Sequence, residues 1–222
     1  MQNNETTTAK MYLDNQKEYW NEVAKIKTFT HPIDIEILNR FLTKQCIVVD
    51  FGCGYGRIVK QLADLGFENV SGYDTSKELI ARGIQENNLS LFHIENPIEL
   101  PLEDNSADCI LLFAVLTCIP SNEGQEKLIN LLFSKLKKGG IIYISDYYLQ
   151  ENSVEVEQYE YLNGDKDNFG VFKLPEGATF RHHTKEWIKT LTKNFEILIE
   201  NPLVVKTMNG NTAEGFQLIG RK

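Results

Sequence analysis

The chain has 222 residues, 42% apolar and 24% charged, with a net charge of −8, which predicts one globular domain with a sizeable core. That acidity argues against nucleic acid or an anionic membrane as partner, and no run reaches the roughly 18–20 apolar residues of a membrane span. Four cysteines (Cys46, Cys53, Cys109, Cys118) lack CxxC spacing and read as reduced thiols rather than a disulfide frame or zinc site. The polar opening "MQNNETTTAK" carries no apolar h-region, so a cytoplasmic protein without a signal peptide is expected.

In chain order, "MYLDNQKEYWNEVAKI" and "HPIDIEILNRFL" have helical apolar spacing, with Pro32 suited to the first turn of the second helix. "CIVVDF" reads as a buried strand and "RIVKQLADLG" as a helix closed by Gly66. "NVSGYD" is a strand, and the helix "SKELIARGIQENN" is capped by Ser76 with Leu79 and Ile80 inward. "LSLFHI" and "ADCILLFAV" are further strands, the latter apolar enough to be buried on both faces. "EGQEKLINLLFSKLKKGG" is a helix ending in lysines and glycine, and "IIYISDYY" is the fifth strand. This alternation over 46–147 demands a parallel sheet with right-handed crossovers. Residues 148–180 are acidic and tyrosine-rich with turn signals at "NGDKDN" and "PEGA". "TKEWIKTLTKNF" returns to helix, and "FEILIEN" and "EGFQLIGRK" are joined too closely for a helical crossover, so they pair antiparallel.

The chemistry concentrates in "VVDFGCGYGR". Gly52, Gly54 and Gly56 end a strand and open a helix, presenting free backbone N–H groups and room for a ligand. A dinucleotide fingerprint is GxGxxG, with pyrophosphate at the helix N-terminus. Here the third glycine comes one residue early and Asp50 stands before the turn, which suits a ligand carrying an ammonium or sulfonium group. Asp74, ending the second strand, can accept from both hydroxyls of a ribose; its alternative is to help the next helix start.

Taken in order, "VVDFGCGYGR", "VSGYDTS", "ELPLEDNSADCILLFAVLTCIPS" and "LKKGGIIYISDYY" resemble the motifs of class I S-adenosylmethionine-dependent methyltransferases, small-molecule type. The resemblance covers residues 46–148 and extends through the trailing helix and strands. It implies a doubly wound, Rossmann-like α/β fold: a seven-stranded, mostly parallel sheet with an antiparallel seventh strand and helices on both faces. It implies S-adenosylmethionine across the C-terminal ends of strands one, two and four. Carried over, Asp50, Gly52, Gly54 and Gly56 would hold the methionine part and Asp74 the ribose. Thr75 and Asn96 would stand by the adenine, and Phe113 and Ala114 would pass beneath the cofactor. Pro97 departs from the pattern by removing a backbone N–H often offered to adenine.

The organisation expected is a helical cap (1–44), a cofactor-binding core (46–147), a substrate-side insertion (148–183) and a closing helix with two strands (184–222). For the acceptor, His182 and His183 are plausible bases, or with Arg181 a grip on an anionic substrate; a solvated loop before a helix capped by Thr184 is the other reading. Asp146, Tyr147 and Tyr148 follow the fifth strand and either line the acceptor pocket or pack. The same choice holds for Thr117 and Cys118, which replace a histidine pair frequent in the family, and for Tyr19 and Trp20 as a lid or a docking face. No metal is expected. The leading expectation is methyl transfer to a small-molecule acceptor by a monomer or homodimer. A non-catalytic S-adenosylmethionine-binding sensor or accessory module is the alternative, and a nicotinamide oxidoreductase is opposed by the glycine spacing.

Overall fold

The computed structural model describes residues 16–151, 159–165 and 167–222. Its main sheet has seven strands: β1 (Ile47–Phe51), β2 (Asn69–Asp74), β3 (Leu91–His93), β4 (Ala107–Phe113), β5 (Leu136–Tyr147), β9 (Glu196–Lys206) and β10 (Thr212–Arg221). They lie in the order β3-β2-β1-β4-β5-β10-β9. The first five run parallel, and β10 is antiparallel to both β5 and β9. The order reverses direction between β1 and β4, the place where open α/β sheets receive ligands at the strands' C-terminal ends.

Side chains alternate across this sheet, and each face is apolar. Val49, Ile110, Leu112 and Ile144 pack against helices α5 (Asn122–Lys135) and α6 (Lys185–Leu191) through Leu128, Leu132 and Ile188. Val48, Cys109, Leu111 and Tyr143 face α2 (Ile35–Leu38) and α3 (Arg57–Asp64) through Leu38, Ile58 and Leu62. Period-two alternation on a sheet covered on both sides produces this division. Helix α4 (Lys77–Asn87) starts as expected, with Ser76 Oγ accepting from Leu79 N–H at 3.2 Å. Thr184 caps α6 in the same way, accepting from Trp187 N–H at 3.0 Å.

Several boundaries differ from expectation. Helix α2 spans only 35–38, because Asp34 rather than the Pro32 region starts it: Asp34 Oδ1 accepts from Ile37 N–H at 3.0 Å. Helix α5 stops at Lys135, and "LKKGG" opens β5. There Leu136 is buried against the sheet, its carbonyl takes Lys222 Nζ at 2.7 Å, and Gly139 N–H donates to Lys222 O at 2.9 Å. Strand β9 continues through Pro202, which an edge strand tolerates because one side of its backbone faces solvent.

The 148–183 region, where the sequence shows turn signals, forms a second sheet of β6 (Glu160–Tyr161), β7 (Phe169–Lys173) and β8 (Thr179–Arg181). Phe172, Ala178 and Phe180 of this region pack against Tyr19, Trp20 and Val23 of α1 (Lys17–Val23). The described part of the first expected helix is therefore α1; residues 11–15 lie outside the described residues. No helix among the described residues is long and apolar enough to cross a membrane.

Candidate active site

A cavity of about 290 Å³ lies at the C-terminal ends of β1, β2, β4 and β5, with α1 and the β7–β8 hairpin over it. One end is polar. Gly52, Gly54 and Gly56 all have positive φ (72°, 56° and 76°), so the loop curls left-handed from β1 into α3. A Cβ on Gly54 would run into the Phe29 ring, which stacks on Tyr55 at 5.1 Å. Gly54 N–H donates to Asp74 Oδ2 and Ser76 N–H to Asp74 Oδ1, both at 2.7 Å. These bonds fix the carboxylate plane at the cavity wall while each oxygen keeps a lone pair for a ligand. Burial raises the Asp74 pKa, and its backbone bonds oppose the shift.

Asp50 is 2% exposed, and burial pushes its pKa up to about 8, with the Arg57 charge opposing and Asp74 adding. Arg57 does not neutralise it fully: its Nη2 donates to the His31 carbonyl, and its buried Nε has no partner among the described residues. Two enclosed carboxyls on one wall of a cavity favour a cationic occupant, which would restore the charge of Asp50. Ala114, at φ +53°, turns the chain after β4 across the cavity floor, with its N–H on Ser145 O at 2.8 Å.

The other end is aromatic. Tyr147 sits between two imidazoles, His31 edge-on at 4.6 Å and His182 tilted at 5.1 Å. Trp20, Tyr159, Phe172 and Phe180 complete the wall. His182 Nδ1 is 2.6 Å from Tyr159 Oη, and burial lowers the His182 pKa to about 3.

Of the residues the sequence singles out, Asp50, Gly52, Asp74, Thr75, Phe113, Ala114, Thr117, Tyr147 and His182 line the cavity together. Trp20 and Cys118 join them. The rest lie behind the wall or away from it. Gly54 lies under Phe29, and Gly56 abuts Leu89 and Leu91. The expected amide of Asn96 is committed locally, accepting from Ile98 N–H at 3.2 Å and donating to Glu99 at 2.9 Å, while Pro97 faces the cavity. Tyr19, on α1, is buried edge-on against Phe180. Tyr148 stacks on Phe216 and donates to Glu200 at 2.8 Å.

His183 and Arg181 are placed as bracing groups. His183 is fully buried, with Nδ1 3.0 Å from Tyr147 O and Nε2 3.0 Å from the Gln125 amide. Burial first, and then the Arg181 charge, lowers its pKa to about 3. Asp146 is also fully buried; it accepts from Thr117 N–H at 3.2 Å and from its own neighbour Tyr147 N–H at 2.8 Å. Burial raises its pKa to about 7. Arg181 donates to Pro120 O, Asn122 Oδ1 and Phe169 O at 3.2, 2.7 and 3.0 Å. The adjacent histidines therefore point to different places, because successive residues leaving a strand face opposite sides.

Sequence reasoning missed Phe29, His31, Arg57, Tyr159, Phe172 and Phe180, and the β9–β10 turn whose Met208 and Asn209 reach the rim. "HPID" signals only a helix start; nothing in its spacing tells that α2 docks with His31 against β5. Among the described residues no group of three or more His, Cys, Asp or Glu could hold a metal.

Residues 42–200 match the family described as "Methyltransferase domain". The chain is 28% identical over 151 residues to O-methyltransferase 3 of Dictyostelium discoideum, covering 60% of this chain and 34% of that one. It is 31% identical over 147 residues to the ribosomal protein L11 methyltransferase of Shewanella pealeana, covering 63% and 48%. The chain thus spans about a third to a half of the length of these curated relatives. The crystal structure of an S-adenosylmethionine-dependent methyltransferase from Methanosarcina mazei superposes with a TM-score of 0.76 at 24% identity, covering 84% of this chain and 96% of that one. At that identity the likeness is one of fold.

Proposed function

Since the chain belongs to the S-adenosylmethionine-dependent methyltransferases, we propose that it transfers a methyl group from that cofactor to a small-molecule acceptor. The observation that supports a small acceptor is the roof. The aromatic end of the cavity is covered by α1 and the β7–β8 hairpin, joined by the Tyr19, Trp20, Phe172 and Phe180 contacts. An acceptor must fit beneath that roof beside the polar end.

Bound S-adenosylmethionine supplies a methyl carbon already activated by its sulfonium, so the protein's task is to hold the two partners in line and keep water out. Asp50 and the backbone around Gly52 would take the ammonium end, and Asp74 the ribose hydroxyls. Gly54 and Gly56 shape that loop, and Phe113 and Ala114 underlie the cofactor. Thr75, Ile94 and Pro97 are left for the adenine, since the Asn96 amide is committed elsewhere. Thr117, Tyr147 and His182 would meet the acceptor. On this reading 46–147 is the cofactor-binding core, while 1–44 and 148–183 cover the acceptor and 184–222 completes the sheet.

Titration calorimetry with S-adenosylhomocysteine and with NADH tests the cofactor site. The expected result is binding of the former alone, weakened at least about 30-fold in Asp74→Ala, since two charge-assisted hydrogen bonds are lost. Binding indifferent to Asp74, or a preference for NADH, overturns the site. Binding without turnover across a panel of phenols, amines and heterocycles would favour the non-catalytic module instead.

A further inference from the structure

His31 stands outside every motif of the sequence, yet its environment is the most specific in the aromatic half of the cavity. It is 3% exposed, and its Nε2 is buried without a hydrogen-bond partner among the described residues. The Asp146 backbone beside the imidazole favours its protonated form, an influence smaller than those of burial and the Arg57 charge. A proton on Nδ1, leaving the unpaired nitrogen free to accept, is the tautomer that a seat for a donor requires. The neutral ring then keeps its lone pair on Nε2.

An unmet polar atom this deeply enclosed costs roughly 1–3 kcal/mol unless something fills the need. The surroundings are organised to keep it. Tyr147 meets the ring edge-on at 4.6 Å, and the backbone carbonyl of His31 takes the Arg57 guanidinium. Burial, and secondarily the Arg57 charge, hold the imidazole neutral by lowering its pKa to about 4.

We propose that His31 Nε2 seats the methyl acceptor, accepting a hydrogen bond from the N–H or O–H of a neutral, planar aromatic molecule held among Tyr147, Phe172 and Phe180. This rests on the methyl-transfer reading given above. A neutral N–H centre gaining its fourth bond, or an O–H centre its third, would bond the methyl carbon as that carbon's bond to sulfur breaks with its pair left on the neutral thioether, and would become cationic and strongly acidic. The proton then passes to His31 Nε2 while its bonding pair stays on the acceptor atom. A weakly basic imidazole suffices for so acidic a proton. Neutrality of the ring also selects against anionic acceptors less strongly than a carboxylate would, but offers them no cation to pair with.

Two measurements test the proposal. Long-range proton–nitrogen NMR on the histidine-labelled protein, with the His31 signals assigned by their loss in His31→Phe, reads the tautomer without any ligand. A ring protonated on Nδ1 at neutral pH is expected; protonation on Nε2 overturns the proposal. Second, p-cresol and toluene are titrated by saturation-transfer NMR into protein loaded with S-adenosylhomocysteine. At least a tenfold preference for p-cresol is expected, lost in both His31→Phe and His31→Leu while S-adenosylhomocysteine affinity holds. Equal affinities, failure of both rings to bind, or a preference that survives these variants overturns it. Failure of S-adenosylhomocysteine to bind instead removes the methyl-transfer reading, while the tautomer is still read on the free protein.

Discussion

Gly54 and Gly66 share a left-handed backbone, at φ +56° and +84°, and differ in what stands beside them. A Cβ on Gly66 meets open space; one on Gly54 meets the Phe29 ring. Alanine at Gly66 therefore costs the conformational term alone, about 1–2 kcal/mol. At Gly54 it adds the displacement of a packed ring, about 1–3 kcal/mol more. Chemical denaturation of the two variants should show that gap, and Phe29→Ala should narrow it when combined with Gly54→Ala. Equal losses would mean that Phe29 does not rest on the loop. The need for glycine here was legible in the sequence; the identity of the neighbour was not, because Phe29 is brought in by a segment with no periodic signal.

At the scale of elements, Arg181 ties β8 to the start of α5 and to β7. Burial lowers its pKa to about 10, so it remains charged at neutral pH and its three acceptors are charge-assisted. Arg181→Ala strands those acceptors and should cost about 3 kcal/mol. In a chain this size that lowers the melting temperature by roughly 6–12 °C. Affinity for S-adenosylhomocysteine should hold, as no cofactor-side residue touches the guanidinium; a large fall in that affinity would return Arg181 to the binding machinery. The sequence marked Arg181 as polar and close to the acceptor side, and the fold turns it inward. Elements with strong local signals were readable: apolar runs for β1 and β4, Ser76 and Thr184 as caps, Gly66 as a stop. The second sheet was not, since its strands are two to five residues long and gain their stability from packing on α1. Likewise α5 yields to β5 at Leu136 because the C-terminal Lys222 bridges there, a contact 86 residues away in sequence.

For the whole molecule, buried histidines and buried carboxyls set how stability varies with pH, and they pull in opposite directions. His31, His182 and His183 have folded pKa values depressed to about 4, 3 and 3 by burial, so the folded state holds them neutral. In the unfolded chain each takes a proton below about 6.5. Their contribution is complete above that value and is lost as the pH falls toward their folded values. Asp50 and Asp146 behave inversely, raised by burial to about 8 and 7. The folded state keeps those protons above the unfolded carboxylate value of about 3.9, so their contribution is lost as the pH rises to 7 and 8. Between about pH 4 and 6.5 the unfolded chain binds three histidine protons against the two of Asp50 and Asp146 in the folded one, and Asp74, also raised by burial, adds a further folded-state proton at the acid end. Stability should therefore change little at the acid end and, once Asp74 has ionised, climb with pH at about 1.4 kcal/mol per unit. Above about 6.5 the histidine protons are gone from both states, the two carboxyl protons remain in the folded one, and stability should fall again. Thermal unfolding of the ligand-free protein from pH 4.5 to 8.5 should peak near pH 6.5. A continued rise through pH 8 would mean that the cavity carboxyls are ionised in the folded protein, and that Asp50 already has a cation beside it before any cofactor arrives.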